Sequence, residues 1–343
     1  MSFIMNIRSV AKYESKILVR SWFFRIFTLL AVVFLGFFNF AMMLMEDNFG
    51  LWFAKSVSSN IPYLNLLLLN TGQAVVAVFL SSEFLKRDKK LDTFEVFYVR
   101  PLSNAEYVVG KIWGNLRVFL FLNLLVLAIV LAFNFMASGV TVDLPAYLVY
   151  FFLISIPTLI FIIGLSIFLM LLLKNQALTF ILLLGYIGLT LFYIQDKFYY
   201  LFDYMVYNLP LFKSTIVGFS NLELILNHRA IYFFAGLGFI FFTIFLFKRL
   251  PNARRSHYPW LFLSFCMFLL MVTAGFRHVR SILWEGEMRA LYTSINNKYV
   301  YEPKMAIDYY DISVEQKSET IRSVVGMEGT ALAASEVFIF CLN

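Results

Sequence analysis

The sequence predicts an all-α polytopic membrane protein. Hydrophobic residues make up 61% of its 343 residues and charged residues only 14%, whereas about 25% of the residues in a soluble domain are charged. Seven apolar runs each approach the roughly 20 residues that a helix needs to cross the hydrocarbon core of a bilayer. We therefore predict membrane spans at residues 26–45, 61–84, 112–137, 146–173, 177–194, 231–247 and 258–276.

The N-terminal segment, residues 1–25, is basic and amphipathic. It contains a single acid, Glu14, among five basic residues, which are Arg8, Lys12, Lys16, Arg20 and Arg25. This pattern predicts a helix that lies in the membrane surface. The loops at 85–111, 174–176 and 248–257 are also rich in Lys and Arg. Because basic residues accumulate on cytoplasmic loops, we predict a cytoplasmic N-terminus. The same rule accounts for the net charge of +7, so we expect no nucleic-acid partner.

An aromatic-rich segment at residues 196–229 falls on the opposite, outer side in this topology. Its density of Phe and Tyr predicts short helices, broken at Pro210, that re-enter the membrane without crossing it. An ordinary aromatic belt at the ends of two spans is the alternative.

The composition changes after the seventh span, which we place within residues 250–276. Residues 277–343 contain frequent charges and period-two stretches at 306–315, 320–328 and 336–342. These stretches predict strands of an extracytoplasmic β segment, with bends at Gly326 and Gly329. Three short strands bury too little apolar surface to be stable alone. We expect either that the chain is a fragment or that a partner completes this sheet.

The spans contain no ionisable residue near their centres, and their interior polar groups are neutral. These groups are Asn65, Asn70, Gln73, Asn123 and Asn134. Proton-coupled transporters and intramembrane hydrolases need ionisable groups at that depth. The sequence also lacks the G-x-x-x-x-G-K-[ST] loop that binds ATP and the H-E-x-x-H pair of metalloproteases. We therefore expect a chain that is not itself an enzyme and that binds no cofactor.

The cysteines and histidines are scattered along the chain. Cys266 and Cys341 lack the spacing of a disulfide framework or a zinc site. His228, His257 and His278 each lie beside the end of an apolar run. We interpret the histidines as polar groups at the membrane interface and predict no metal site.

The loop between the second and third spans carries the most distinctive pattern. Apolar residues at positions 91, 94 and 98 alternate with charged ones, which predicts an amphipathic helix at 86–100 that Pro101 ends. Ser103 and Glu106 have the spacing of a capping box, which begins the next helix at about Asn104. Periodicity alone leaves a solvated charged loop as an equal alternative to a docking helix.

This stretch resembles the signature between the second and third spans of type-2 ATP-binding-cassette (ABC) transporter permeases. The matching residues are Glu83, Thr93, Glu95, Pro101, Ser103, Glu106, Gly110 and Lys111. The resemblance covers residues 1–249 and implies a six-helix permease core at 26–249, braced by the N-terminal helix. It also implies that residues 86–100 are a coupling helix that docks on an ATPase subunit. Its docking residues would be Arg87, Asp88, Leu91, Asp92, Thr93, Phe94, Glu95 and Tyr98.

The seventh span and the β segment depart from this six-span core. They resemble long bacterial permeases in which an extracytoplasmic region follows the first permease half. The resemblance implies a permease subunit of an ATP-driven exporter in the bacterial inner membrane, with a separate ABC ATPase subunit, a second permease half and membrane lipids as partners. Lipids, glycans, drugs and peptides all stay open as substrates. The alternative is a membrane anchor or sensor that displays the outer β segment.

Overall fold

The computed structural model is mostly helical. It describes residues 2–44, 58–82, 102–136, 142–194, 196–209, 211, 213–214, 218–219, 221–247, 258–300, 305–317 and 320–332. Among these residues, seven helices are long and apolar enough to cross a membrane. The predicted number of spans is therefore confirmed, and the chain is an integral membrane protein by the length and composition of its helices.

The described residues contain the following α-helices. In chain order they are α1 (Ser2–Arg20), α2 (Trp22–Leu44), α3 (Asn60–Ser82), α4 (Asn104–Met136), α5 (Leu144–Tyr150), α6 (Ile156–Leu173), α7 (Gln176–Leu189), α8 (Leu222–Leu246) and α9 (Tyr258–Tyr299). A π-helical turn at Phe151–Ser155 joins α5 to α6, so that the two form one span, and a second π turn at Thr190–Ile194 extends α7. The amphipathic α1 packs along α4.

The core of the bundle is formed by α3, α4, α6 and α8, which pack against one another. By contrast, α2, α7 and α9 leave most of their apolar residues exposed. Exposed apolar faces of this kind are expected where a helix contacts lipid or another membrane subunit.

Two helix boundaries differ most from the predicted spans. The helix α8 begins at Leu222 and not at residue 231, because His228 and Arg229 lie inside it with their polar groups hydrogen-bonded to backbone carbonyls. The helix α9 continues to Tyr299 and does not end at residue 276. The first part of the predicted β segment, 277–299, is therefore helical.

The connection between α7 and α8, here called the connecting segment (residues 196–221), contains no short α-helix within its described residues. It has a three-residue turn at Phe198–Tyr200 and two short antiparallel strands, β1 (Lys213–Ser214) and β2 (Gly218–Phe219). Side chains of the spans bond the carbonyls of Tyr204 and Val206. Pro210 lies outside the described residues, so a break there stays a prediction. Re-entry into the membrane stays a prediction.

The chain divides into two compact units, residues 1–278 and 279–343. The second unit contains an antiparallel hairpin of β3 (Met305–Lys317) and β4 (Thr320–Ala331). Two of the three predicted strands are thus present, and the third, at 336–342, lies outside the described residues. Gly326 and Gly329 are not bends. They lie within β4, where a Cβ on Gly329 would overlap the Ala306 carbonyl oxygen, beside an irregularity in the register.

The two faces of this hairpin differ in polarity. Cross-strand partners share a face, and one face carries the pairs Tyr310 with Met327 and Ile312 with Val325, together with Val314 and Ile321. Each of these six side chains is between 41% and 59% exposed. The opposite face is mostly polar, with Asp311, Ser313, Glu315, Arg322 and Glu328, but it also carries Tyr309 and Val324. The hairpin is therefore amphipathic, with its apolar face uncovered among the described residues.

Candidate functional site

The predicted site residues fall into two groups. The coupling stretch at 86–100 and Pro101 lie outside the described residues, so the coupling helix stays a prediction. Within that stretch are Arg87, Asp88, Leu91, Asp92, Thr93, Phe94, Glu95 and Tyr98. The remaining four, Ser103, Glu106, Gly110 and Lys111, all lie at the beginning of α4 and contact α1 or cap the helix.

The predicted capping box is present at the beginning of α4. The Ser103 amide donates to Glu106 Oε2 over 2.6 Å, and the Glu106 amide donates to Ser103 Oγ over 3.2 Å. Two amides that the helix itself cannot satisfy are therefore bonded. A cap of this kind contributes about 1 kcal/mol to helix stability. It fixes the direction in which the chain leaves the predicted coupling stretch and enters α4.

The same carboxylate also binds α1. The other oxygen of Glu106, Oε1, accepts a hydrogen bond from Asn6 Nδ2 over 2.9 Å. Glu106 is 6% exposed, so these bonds are shielded from water. One carboxylate thus connects the N-terminal helix, the cap and the beginning of the third span.

Close approach between α1 and α4 depends on two glycines one helical turn apart. A Cβ on Gly110 would lie 2.7 Å from Val10 Cβ, and one on Gly114 would lie 2.8 Å from the Ala11 carbonyl oxygen. Small residues four apart allow helix backbones to approach in this way. Gly110 therefore acts in packing, and a larger residue there would separate the helices.

Polar contacts along this interface are buried. Lys111 Nζ lies 3.5 Å from Glu14 Oε2, with both side chains no more than 4% exposed. Ser15 Oγ donates to the Gly114 carbonyl over 2.7 Å, and Arg117 donates to Ser15 Oγ and to the Ala11 carbonyl over 2.5 and 2.9 Å. Removing one partner of a buried ion pair costs about 3–5 kcal/mol. We therefore treat α1 and the first half of α4 as one interlocked unit, the α1–α4 junction.

A second site lies inside the bundle, where three of the predicted neutral groups meet. Gln73 Nε2 donates to Asn70 Oδ1 (2.9 Å), Asn70 Nδ2 to Asn123 Oδ1 (3.2 Å), and Asn123 Nδ2 to Gln73 Oε1 (2.8 Å). Ser155 Oγ, in the first π turn, donates to Asn123 Oδ1 over 2.8 Å. All four residues are fully buried. This amide cluster joins α3, α4 and the π turn through a closed ring of hydrogen bonds.

The π turn is also connected to the opposite side of the bundle by Arg229. Pro157 has no amide hydrogen and cannot bond the Leu153 carbonyl one turn before it. Arg229 Nε donates to that carbonyl over 2.7 Å, and its Nη2 donates to Thr158 Oγ1 over 2.8 Å. A neighbouring helix thus satisfies the group that proline leaves unpaired, as a membrane interior requires.

The same guanidinium holds the connecting segment. Arg229 Nη1 donates to the Tyr204 carbonyl over 2.8 Å, and Thr158 Oγ1 donates to it over 3.2 Å. Tyr63 Oη donates to the Val206 carbonyl over 3.1 Å. Residues Tyr204, Met205 and Val206 are fully buried. The irregular backbone therefore lies inside the protein, with carbonyls bonded by α3, α6 and α8.

Asp203 is a buried carboxyl in this segment. Its Oδ2 accepts from the Asn208 amide over 2.9 Å. Burial raises the pKa of Asp203 above its ordinary value of 3.8, although its backbone hydrogen bonds and the Arg229 guanidinium act in the opposite direction. The neutral form is therefore favoured more in the folded protein than in the unfolded chain.

Two of the three scattered histidines come together beside this segment, which sequence spacing did not indicate. The rings of His228 on α8 and His278 on α9 are 5.0 Å apart, and both residues are fully buried. They are 50 positions apart in the sequence, so no local pattern connects them. Both bond carbonyls of the turn at Phe198–Tyr200, and their location at the membrane interface stays a prediction.

The connecting segment and the α1–α4 junction lie at opposite ends of the helices. The connecting segment contacts the beginning of α3 through Tyr63. The end of α8 lies at the other end of the bundle, where Asn104 Nδ2 donates to the Phe247 carbonyl over 2.5 Å.

No group of three or more metal-ligating side chains is found within the described residues. No protein-family model and no curated protein matches this chain, so its function is inferred from these contacts.

Proposed function

We propose that this chain is the permease half of an ATP-driven transporter of the type-2 ABC class, with its N-terminus in the cytoplasm of a bacterial cell. The observation that carries the proposal is the α1–α4 junction. It stands directly after the stretch at 86–100 that resembles a coupling helix, and it is held by Glu106, which bonds both the cap and Asn6. A coupling element needs a rigid connection of this kind, because a flexible connection would absorb its movement.

The contacts inside the bundle extend this connection. In the proposed mechanism, closure of the ATPase subunits displaces residues 86–100, and the capped α4 moves with α1. Asn123 on α4 is bonded to Gln73 and Ser155, so its movement acts on α3 and the π turn. Arg229 bonds the π turn and the connecting segment together. Movement at the cytoplasmic end would therefore reach the outer end as rocking of packed helices.

A second permease half is part of the proposal. The apolar residues of α2 and α7 are mostly exposed, which leaves surface for another half and for lipid. The amide cluster offers no free polar group to a substrate, because its side chains bond one another. A path for the substrate is then expected between two halves.

The second candidate function is a membrane anchor or sensor that displays the hairpin outside the cell. The uncovered apolar face of β3 and β4 favours this second candidate, since an isolated two-stranded hairpin is only marginally stable in water. Among the described residues of α9, the helix that leads to this unit, only Ser264, Ala274 and His278 are buried. Both candidates share one topology and differ in whether 86–100 binds an ATPase.

The test is co-purification of an ABC ATPase subunit with full-length variants. We expect Phe94→Asp to abolish both co-purification and ATP-dependent transport, because buried aromatic anchors carry most interface energy. Lys89→Ala, a rim charge in the same stretch, is the matched control and should bind normally. An unchanged melting temperature would show that both variants are folded. Full ATPase association of Phe94→Asp would refute the coupling role and favour the anchor or sensor.

A further inference from the structure

Three consecutive residues of the connecting segment adopt a left-handed backbone. The φ angles of Phe198, Tyr199 and Tyr200 are 52°, 59° and 62°. This region is unfavourable for residues with a Cβ, and aromatic side chains have no compensating local hydrogen bond. A run of three therefore persists only where surrounding groups hold it.

The groups that hold this turn come from α8 and α9. His278 Nε2 lies 2.9 Å from the Tyr199 carbonyl oxygen, and His228 Nε2 lies 3.0 Å from the Tyr200 carbonyl oxygen. Tyr232 Oη donates to the carbonyl of the next residue, Leu201. Three successive carbonyls are thus bonded by three side chains, and two of those side chains are imidazoles.

The hydrogen bonds determine where each imidazole carries its proton. A carbonyl oxygen accepts only, so each Nε2 must be the protonated nitrogen of a neutral ring. Each Nδ1 is then the nitrogen that would accept a further proton, and both rings are buried. His228 Nδ1 has no hydrogen-bond partner among the described residues, whereas the Leu224 backbone also acts on the His278 imidazole.

The surroundings disfavour positive charge on this pair. Protonation of both rings would place like charges about as far apart as the ring centres, which are separated by 5.0 Å, beside the charge of Arg229. The charged and titratable groups on the neighbouring elements are Arg229, Glu223 and Tyr232 on α8, Arg277 on α9, and Asp203 on the connecting segment. Glu223 is bonded to Arg277 over 2.9 Å at the exposed surface. Asp203 lies within the field of Arg229.

We propose that His228 and His278 form a proton-sensitive clasp, which holds the left-handed turn while both imidazoles are neutral and releases it when they are protonated. Release lets Phe198, Tyr199 and Tyr200 return to favourable backbone angles. It also frees α9 from the connecting segment, because His278 is one of the few buried residues on that helix. The clasp makes this end of the bundle responsive to acid.

The test is hydrogen exchange of the full-length protein in lipid nanodiscs at pH 7.5 and pH 5.5. The amides to follow are those of Tyr200, Leu201 and Asp203, which donate to carbonyls within the segment. Exchange is expressed as protection factors, because the intrinsic exchange rate itself depends on pH. Below the ordinary imidazole pKa of about 6.5, each proton taken up on opening favours opening about tenfold per pH unit. We expect protection to fall at least about tenfold at pH 5.5.

The matched variant is His228→Gln with His278→Gln, since a glutamine amide can donate to the carbonyl but takes up no proton. We expect its protection to be equal at both pH values. His257→Gln, which removes the third histidine, should keep the wild-type fall. Protonation of Asp203 acts in the opposite direction, because acid favours its buried neutral form, so it cannot produce this fall.

Two results would overturn the clasp. One is equal wild-type protection at both pH values, and the other is the same fall in the double glutamine variant. If the double variant does not fold, nitrogen chemical shifts of the two rings in the wild-type protein decide. Rings that both stay neutral at pH 5.5, or that become protonated while the turn stays protected, would refute the proposal.

Discussion

Replacement of Arg229 by methionine tests the connection between the π turn and the connecting segment. Methionine keeps an unbranched apolar stem but has no donor. The variant loses hydrogen bonds to the carbonyls of Leu153 and Tyr204 and to Thr158 Oγ1, at 2.7, 2.8 and 2.8 Å. These acceptors are buried, so water cannot replace the guanidinium without opening the bundle.

The expected cost follows from which acceptors are left without a donor. The Tyr204 carbonyl still accepts from Thr158 Oγ1, whereas the Leu153 carbonyl cannot accept from Pro157, which has no amide hydrogen. An unsatisfied buried acceptor costs about 1–3 kcal/mol, and each hydrogen bond lost from a charged donor adds about 1 kcal/mol or more. Relief from burying the charge offsets part of this sum. We expect Arg229→Met to lower the free energy of unfolding by about 2–4 kcal/mol.

A second substitution separates this cause from a general loss of packing. Pro157→Ala restores an amide that can donate to the Leu153 carbonyl. In the wild-type background it should change stability little, because Arg229 already satisfies that carbonyl. In the Arg229→Met background it should recover about 1–2 kcal/mol. The two effects are therefore expected to be non-additive.

The assay is reversible unfolding in mixed micelles, followed by circular dichroism, for the four proteins of the double-mutant cycle. Arg117→Met is the matched control, because Arg117 bonds Ser15 and the Ala11 carbonyl at the α1–α4 junction. It should combine additively with Pro157→Ala. Additivity of Arg229→Met with Pro157→Ala, within about 0.5 kcal/mol, would show that Arg229 does not replace the missing proline amide.

Three further predictions concern the α1–α4 junction and the buried carboxyl. Ser103→Ala with Glu106→Ala should cost at least about 1–2 kcal/mol, because Asn6 also loses its acceptor, and should impair transport at normal expression. Full activity in a transport assay would contradict a mechanical role for the cap. Gly114→Leu should displace α1 and expose it to protease, whereas Gly185→Leu, where a Cβ meets nothing within 4 Å, should leave α1 protected. The raised pKa of Asp203 gives stability that is present below pH 3.8 and lost as pH rises through the folded pKa. The stability of wild type minus that of Asp203→Asn should therefore decrease as pH rises above about 4, and a flat difference would refute the shift.

The spans could be predicted because each is a long apolar run, and lipid requires such runs. Their ends were less predictable where polar residues belong to the helix. The predicted start at residue 231 stopped short of His228 and Arg229, which are acceptable inside α8 only because distant carbonyls bond them. No residue near His228 or Arg229 in the sequence indicates which carbonyls they bond.

The capping box was predictable because its partners are local: its two residues are three positions apart and bond each other. The pairing of Glu14 with Lys111 was not, because it joins two helices that are far apart in the sequence. Weak signals existed for it: Glu14 is the one acid in a basic segment, and Gly110 with Gly114 marks a helix surface open to close approach. The bond from Arg229 to the Leu153 carbonyl had no such signal beyond Pro157, which cannot bond that carbonyl.

The amide cluster of this bundle connects helices through bonds among its own side chains. Asn70, Gln73 and Asn123 are neutral, fully buried and bonded in a closed ring, so a substrate entering there would have to break bonds without gaining a charge partner. A neutral ring of this kind can exchange partners at modest cost, since interhelical hydrogen bonds in membranes contribute only about 0.6 kcal/mol each on average. Helices joined by such bonds can slide and rock while staying associated. These properties favour a moving element whose substrate path lies at its surface, which is the reason that the proposed transporter requires a second permease half.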